Sequence, residues 1–334
     1  MAGIKDIAKL TGLSLATISR VFNDSPLVSK KTKDKVLKAA KKLDYQPNLM
    51  AAALRSGKSK IIGVVVPEIN NSFFSKIING IEQKANAHKY TIIIAQSHES
   101  KERETKAIQS LIQSKVDGIL ISISKETDDF DIINRLDSNG TPIVFFDRIP
   151  PLENVNQVVF DDYEGAYIAT KHLIEQRCNR IIHIAGNPKI SIHKKRQNGF
   201  IDALKKNNYP FIESDIIHLT MDESEDIKTI QKLLKNKISF DGVFAHGDES
   251  CLYLLNVLKT IGVSVPKNVK LIGFGNNKFS ELIQPKLSTI DQRCLEMGEL
   301  ATSRLLELLK SKNRMNPETT ILSPKLIIRA SSSF

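Results

Sequence analysis

The stretch IKDIAKLTGLSLATISRVFN, from Ile4 to Asn23, decides the fold of the amino-terminal part of the chain. Its apolar residues recur at helical spacing on both sides of Thr11-Gly12, and Ser14 stands where it can cap a second helix. Glycine favours the left-handed backbone that ends a helix. The pattern therefore predicts two short helices joined by a tight turn.

A third amphipathic segment follows from Ser29. Val36, Leu37, Ala40 and Leu43 form its apolar stripe, and lysines surround that stripe. Three such stripes can close on one another as a miniature core of about 45 residues. The order of elements predicts a helix-turn-helix unit, whose second helix enters the major groove of DNA with its amino terminus first.

Positive charge is concentrated in this leading unit. Residues 1–60 hold 13 lysines and arginines against 4 acidic residues, whereas the other 274 residues hold 35 against 33. Such a division is typical of a phosphate-binding head joined to a nearly neutral body. Near the start of the second helix, Arg20 can make two hydrogen bonds to the edge of a guanine. Leu15 and Ala16 offer only apolar contacts to bases. A helical hairpin that binds protein is the alternative.

The segments IKDIAKLTGLSLATISRVFND and SKKTKDKVLKAAKKLDYQPN resemble the DNA-binding head of the LacI/GalR family of bacterial transcription regulators. The resemblance implies two kinds of DNA contact in the head. Base contacts are implied for Leu15, Ala16 and Arg20, and phosphate contacts for Ser14, Thr17, Ser19 and Asn23.

The next segment, residues 46–59, reads as a hinge helix and linker after a helix-turn-helix domain at 1–45. Its helical part, about nine residues, is shorter than the roughly 12 to 15 that an isolated helix needs in water, so it should order only when something holds it. The resemblance places a leucine that wedges into the minor groove at Leu54. A plain alanine linker is the alternative.

From Ile61 onward, short β-branched runs alternate with amphipathic segments, which predicts a doubly wound α/β body. The predicted buried parallel strands are IIGVVVP, TIIIAQ, GILISI, PIVFFD, RIIHIAG, GVFAHG and KLIGFG. The predicted helices are 72–88, 103–114, 163–175, 195–207, 248–261 and 294–310, and the TTILSPKLIIRAS segment is predicted as strands.

A faint repeat, Val116-Asp117-Gly118-Ile119 and Phe240-Asp241-Gly242-Val243, indicates two similar lobes. The resemblance implies a body like a periplasmic sugar-binding protein, with a ligand cleft between the lobes. We expect one lobe at 60–161 plus about 292–322, and the other at 162–291 plus about 323–334.

Ligands of such sheets bind beyond the carboxyl ends of the strands, so polar residues there are the candidates. An aspartate at a strand end can equally be a helix cap, and a phenylalanine at helical spacing can equally be core. The candidate ligand-binding residues are Asn71, Phe73, Ser97, Asp147, Asp161, Arg196, Asp248 and Asn276. By resemblance, Phe73, Asp147, Arg196 and Asp248 stand out.

One departure from the family pattern concerns the ligand. This chain has Gly273-Phe274-Gly275-Asn276 where the family usually carries an acidic residue after the aromatic one. A carboxylate would clasp a vicinal diol, and glycine cannot. We therefore expect a sugar-like effector that is bulkier, anionic or otherwise not a simple neutral sugar; His193 and two neighbouring lysines could attract an anion or be a solvated face.

The sequence carries no GxGxxG, P-loop, GxSxG, HExxH or paired CxxC motif, so neither an enzyme, a cofactor nor a metal site is predicted. Cys178, Cys251 and Cys294 are expected to be reduced packing residues. No apolar run is long enough to span a bilayer, and no secretion signal precedes the head, so we expect a cytoplasmic protein. The predicted function is a dimeric regulator, by resemblance a repressor, which binds a pseudo-palindromic operator under control of a small effector.

Overall fold

The computed structural model describes residues 3–22, 25–45, 58–138, 140–220, 223–235, 239–311, 313 and 315–333. They divide into two compact units, Met1–Lys60 and Ile61–Phe334. The predicted hinge segment 46–57, with Leu54, and the predicted phosphate contact Asn23 lie outside the described residues.

The first unit is a bundle of three helices: α1 Ile4–Thr11, α2 Leu15–Phe22 and α3 Lys30–Lys42. Gly12 ends α1 with a φ of 68°, which confirms the turn expected there. Ser14 accepts a hydrogen bond from the Thr17 amide at 3.1 Å, and Ser29 caps α3 in the same way. The predicted cap at Ser14 is therefore present, and Ser29 is a second cap that the sequence analysis did not name.

The core of the head is small and contains Ile7, Ile18, Val21 and Val36. One prediction about this core is wrong: Leu37 is 52% exposed, and the stripe of α3 continues through Ala39 instead. The stripe is narrower than expected because α1 and α2 are only eight residues long and cover little of α3.

In the second unit, the strands that the structure describes form two six-stranded sheets of related topology. The amino-terminal lobe contains β1 Ile61–Val66, β2 Thr91–Gln96, β3 Gly118–Ile121, β4 Ile143–Phe146, β5 Gln157–Phe160 and β11 Thr319–Leu322, in the order β2-β1-β3-β4-β5-β11. The carboxy-terminal lobe contains β6 Ile181–Ala185, β7 Ile216–His218, β8 Gly242–Ala245, β9 Lys270–Phe274, β10 Ser288–Asp291 and β12 Lys325–Ile327, in the order β7-β6-β8-β9-β10-β12.

Helices connect the strands of both lobes. The amino-terminal lobe carries α4 Ser72–Ala87, α5 Lys101–Gln113, α6 Asp131–Ser138 and α11 Cys294–Lys310, and the carboxy-terminal lobe carries α7 Asp162–Glu175, α8 Ser191–Lys206, α9 Glu223–Lys235 and α10 Asp248–Thr260. The chain passes between the lobes at Asp161, at Gln292–Arg293 and at Ser323–Pro324.

Three details differ from the sequence-based expectation. The strand TIIIAQ, β2, was expected to be buried, but it is a sheet edge at which Ile94 is 43% exposed. Strand β12 pairs antiparallel to β10, although the other strand pairs are parallel. Helix α8 begins at Ser191, four residues before the expected start at Lys195. The three cysteines are free and buried, as predicted.

Candidate functional site

The head presents a polar and basic face at the amino terminus of α2. Leu15 is 44% exposed, and Ala16 and Arg20 are also exposed, because Ile18 and Val21 are the residues that this helix turns into the core. An exposed guanidinium one turn into such a helix can reach a base edge. The residues predicted to contact bases therefore lie on the free surface of the head.

The residues predicted to contact phosphates flank the same helix terminus. Ser14 is exposed, while Thr17 and Ser19 are half-buried. The hydroxyls of Ser14 and Thr17 share a hydrogen bond of 2.9 Å. The start of α2 thus combines hydroxyl groups with free helical amides, which is a favourable place for an anion.

In the second unit, a cleft of about 110 Å³ lies between the two lobes, at the carboxyl ends of their strands. Its lining comes from the start of α4, the end of β4, α8, the β8–α10 junction and the segment after β9. The lining residues are Asn71, Ser72, Phe73, Phe74, Asp147, Arg148, Ile192, His193, Arg196, His246, Gly247, Asp248, Glu249, Phe274, Gly275, Asn277 and Gln292. Larger hollows of 570 to 670 Å³ lie elsewhere on the second unit, but the predicted ligand-binding residues converge on this cleft.

Five of the eight predicted ligand-binding residues line the cleft: Asn71, Phe73, Asp147, Arg196 and Asp248. The structure does not bring the other three to this surface. Ser97 is fully buried, and its hydroxyl has no hydrogen-bond partner in the described part of the chain. Asp161 caps α7 by accepting from the Glu164 amide at 3.0 Å. Asn276 donates to Asp291 and accepts from Arg329 outside the cleft.

Arg196 is held firmly in the cleft wall. Its Nε and Nη2 both lie 2.7 Å from Oδ1 of Asp162, and its Nη1 donates to the His246 carbonyl at 2.6 Å. The guanidinium also covers the Phe274 ring, 3.7 Å from its centroid. Two of the five guanidinium N–H groups are left for a ligand.

The position of Arg196 depends on the residues that follow it in the pattern Arg196-x-x-Gly199-Phe200. A Cβ on Gly199 would lie 2.2 Å from the Tyr163 carbonyl, so only glycine lets α8 approach α7 this closely. Phe200 is fully buried behind it. The close approach brings Arg196 of α8 against Asp162 of α7.

Arg148, which follows the predicted site residue Asp147 at the end of β4, is the second arginine of the lining. Its Nη1 donates to both carboxylate oxygens of Glu99, at 2.7 and 2.9 Å. Its Nε makes no hydrogen bond within the described residues and lies 3.9 Å from Oδ2 of Asp147. The dipeptide Asp147-Arg148 after β4 was a signal for this residue, because both side chains stand at the same strand end.

Asp147 is a buried carboxyl group with few hydrogen bonds. Burial raises its pKa to about 7, against the opposing effect of Arg148. Its backbone is left-handed, with a φ of 60°, which is uncommon for a residue other than glycine. A carboxyl group of this kind can accept hydroxyl donors from a ligand.

Asp248 has the opposite character. Its oxygens accept from Thr289 Oγ1 at 2.5 Å, from the Asn277 amide at 2.7 Å and from Ser280 Oγ at 2.8 Å. It is 1% exposed, and burial raises its pKa while these bonds oppose the shift. A Cβ on Gly273 would lie 2.2 Å from its Oδ1. The Asp248 carboxylate therefore shapes the segment after β9 through bonds within its own lobe.

His193 and His246 face one another in the cleft wall, with their ring centroids 5.1 Å apart, and of the two the sequence singled out only His193. Burial lowers the pKa of His193 to about 2 and that of His246 to about 3. Both are therefore neutral at neutral pH. The adjacent Lys194 and Lys195 are exposed and do not line the cleft.

Hydrogen bonds cross from lobe to lobe at the edge of the cleft. Lys76 of α4 donates to the carbonyl of Asn276 at 2.8 Å and to that of Gly275 at 3.4 Å, and Ser72 donates to Asn277. Gly275 has a φ of 131°, although a Cβ there would meet nothing closer than 3.7 Å. Backbone conformation, and not lack of space, is thus what favours glycine at the position where the family usually has an acidic residue.

Two family models match the chain. The model for bacterial regulatory proteins of the lacI family matches residues 3–48, and that for periplasmic binding proteins and the sugar-binding domain of the LacI family matches residues 59–330. The chain belongs to the LacI family. The predicted fold class is confirmed, with the helix-turn-helix head and the two-lobed body in the expected order.

The named relatives of this LacI family member are regulators, and they match it over nearly their whole length. The ribose operon repressor of Halalkalibacterium halodurans is 30% identical over 93% of this chain and 92% of its own, and the transcriptional regulator GalR of Salmonella typhimurium is 32% identical over 100% and 96%. These names confirm the prediction of a transcription regulator in place of an enzyme.

Two solved structures align with the LacI family member over both units. The CelR–cellobiose complex is 26% identical, covers 99% of this chain and 100% of its own, and has a TM-score of 0.74. The lac repressor dimer bound to operator and an anti-inducer is 23% identical, covers 100% and 99%, and has a TM-score of 0.87, which bears on the fold alone. None of the helices described for the present chain is long and apolar enough to cross a membrane.

Proposed function

We propose that this protein is a cytoplasmic, operator-specific transcription repressor that acts as a homodimer under the control of a small sugar-like effector. The observation that carries the proposal is the outward face of α2, where Leu15, Ala16 and Arg20 stand free on a strongly basic three-helix head. A helix of this kind fits the major groove, and the surrounding lysines suit the phosphates.

A dimer gives the head its specificity. Two heads related by a twofold axis read a pseudo-palindromic operator, and one short helix alone buries too little surface to select a site. The lac repressor, whose fold the chain shares, forms a dimer on its operator. The exposed edge strand β2, with Ile93 and Ile94, offers an apolar surface for such a pairing.

The effector binds in the interlobe cleft. Phe73 offers an aromatic face, Asp147 an acceptor, and Arg196 its two remaining donors. Closing the lobes on this ligand changes the spacing of the two heads and so changes operator affinity.

The test of this function starts with selecting operator sequences from a randomised duplex library with the full-length protein. Replacing Arg20 by alanine should weaken binding to the selected operator by about 10- to 100-fold, because a bidentate guanine contact contributes about 1 to 3 kcal/mol. Binding to unrelated DNA should change little. Fluorescence anisotropy at fixed salt measures both affinities.

Arg103→Ala is the matched control, since Arg103 is an exposed arginine of α5 in the body. The affinity for operator should also fall with salt, with a log-log slope of about −0.9 per phosphate contacted. Equal operator affinities for the Arg20 and Arg103 variants, or a flat salt response, would contradict the proposal.

A further inference from the structure

The two arginines of the cleft are already neutralised by carboxylates that do not line it. Arg148 donates to both oxygens of Glu99, and Arg196 makes two contacts of 2.7 Å with one oxygen of Asp162. The Arg196–Asp162 pair is almost fully buried, and the side chains of Arg148 and Glu99 are 12% and 18% exposed. Pairs of this geometry, shielded from water, hold their charges together.

Other cationic groups near the cleft are also unavailable to an anion. His193 and His246 are neutral because burial disfavours their protonated forms. Lys76 donates to the two backbone carbonyls of the opposite lobe. Among the described residues, the lining contains no cation besides the two paired arginines.

Carboxyl groups outnumber cations around the cleft. Asp147, Asp248 and Glu249 belong to the lining itself, in addition to the two partners Glu99 and Asp162. A phosphate or carboxylate on a ligand would enter a wall rich in carboxyl groups, in which both arginines already hold a carboxylate partner. A hydroxyl group, which both donates and accepts, can use Asp147 and the remaining N–H groups of Arg196 and Arg148.

We propose that Glu99 and Asp162 are specificity-determining residues, which neutralise Arg148 and Arg196 and thereby restrict the cleft to uncharged polyhydroxy ligands. The inference rests on the proposed effector site and names its ligand class. It also replaces the expectation of an anionic or bulky effector, because the arginines are occupied and the cavity is small.

The test compares matched pairs of sugars on the full-length protein. Neutral pentoses and hexoses, among them D-ribose and D-glucose, are paired with ribose 5-phosphate, glucose 6-phosphate and gluconate in thermal-shift and calorimetric titrations. At least one neutral sugar should raise the melting temperature, and its charged derivative should bind at least 10-fold more weakly. A charged derivative that binds more tightly than its neutral parent would overturn the proposal, as would a panel in which no neutral sugar binds.

The variant Glu99→Gln tests the role of the partner directly. It keeps the side-chain shape and one acceptor for Arg148 but removes the neutralising charge, so affinity for the phosphorylated or acidic member should rise at least 10-fold. Glu102→Gln, an exposed position on α5 that pairs only with Lys106 among the described residues, is the control and should leave the preference unchanged. An unchanged preference in a folded Glu99→Gln protein would assign Glu99 a merely structural role.

Operator binding measured in the same samples separates this inference from the proposed function. If a phosphorylated sugar alters operator affinity, the regulator stands and the charge selectivity is wrong. If operator binding itself is absent, the proposed function fails whatever the sugar preference. Should Glu99→Gln lack a cooperative melting transition, the comparison of sugar pairs on the unmodified protein decides.

Discussion

At the scale of single residues, Asp147 is the cleft side chain with the most unusual environment. It stands at a strand end with a left-handed backbone, is 6% exposed, and receives only one long hydrogen bond, 3.5 Å from Ser122, among those described. Asp248 is equally buried but fully bonded. Two aspartates that look alike in sequence therefore differ in their bonding: Asp147 keeps oxygens without a close partner among the described residues, and Asp248 is bonded within its own lobe.

The raised pKa of Asp147 predicts a pH-dependent stability. The folded carboxyl titrates near pH 7, whereas an unfolded one titrates near about 3.9. The stability contributed by this bound proton is therefore present at low pH and is lost as the pH rises through about 7. Asparagine at position 147 is uncharged at every pH. We therefore expect the melting temperature of Asp147→Asn to fall less between about pH 6 and about pH 8 than that of the native protein.

Calorimetry of the ligand-free protein measures this difference. Asp202→Asn, a substitution at an aspartate whose contact with Tyr163 lies outside the cleft, serves for comparison. Parallel melting curves for the Asp147 variant and the native protein across this pH range would show that Asp147 is already ionised below pH 6.

At the scale of elements, glycines set how closely the helices pack. Helices α4 and α11 touch at two such positions: a Cβ on Gly80 would lie 2.1 Å from the Leu295 carbonyl, and one on Gly298 would lie 2.2 Å from the Ile77 carbonyl. Since α11 comes more than 200 residues after α4 begins, this contact is one of those that join the returning chain to the amino-terminal lobe. The position of Ser72 and Phe73 at the start of α4 depends on it.

Gly80→Ala should destabilise the body. Alanine favours a helix over glycine by about 1 kcal/mol, but a backbone clash of this size forces the helices apart and costs typically about 1 to 3 kcal/mol or more. We expect a net fall of several degrees in melting temperature. Gly247→Ala is the control, because its added Cβ meets open space at a negative φ. A stabilised Gly80→Ala protein would mean that the two helices separate at little cost.

At the scale of the whole molecule, the proposed function requires that closure of the lobes alters operator binding by the head. The chain crosses between the lobes three times, and Lys76 adds hydrogen bonds across the cleft edge. If effector binding changes operator affinity, operator binding must change effector affinity by the same factor. Residues that hold the lobes together without touching the ligand should therefore alter both affinities.

Lys76→Met tests this coupling. It removes the donated hydrogen bonds to Gly275 and Asn276 but keeps the apolar stem, so the closed arrangement loses an interaction of about 1.5 to 3 kcal/mol at most. We expect faster hydrogen exchange at the Asn277 amide, which donates to Asp248, and a several-fold weaker affinity for the effector. The core of β8 should exchange as before.

Lys84→Met, on the same helix, provides the comparison because the structure records no hydrogen bond or ion pair for its ammonium group among the described residues. Identical exchange at Asn277 in the two variants would show that Lys76 does not hold the lobes together.

Much of the fold follows from short-range patterns. Helix periodicity, the Gly12 turn, the cap at Ser14, and the alternation of β-branched runs with helices each depend on residues a few positions apart, and they predicted the head and the two-lobed body. The expectation that ligands bind beyond the carboxyl ends of the strands correctly placed Asn71, Asp147 and Asp248 on the cleft, because parallel strands bring these ends to one edge of the sheet.

The pairings between residues far apart in the chain depend on how the lobes fold. Glu99 lies 49 positions from Arg148, and Asp162 lies 34 positions from Arg196. Local sequence carries no signal for such contacts, so neither the pairing of Arg148 with Glu99 nor that of Arg196 with Asp162 was predicted. Leu37 and β2 were placed inside, whereas packing leaves them at the surface. The sequence by itself determined that the protein has a basic helix-turn-helix head and a two-lobed receptor. Which charges in that receptor remain free was decided by folding, because neutralisation requires two side chains to meet in space.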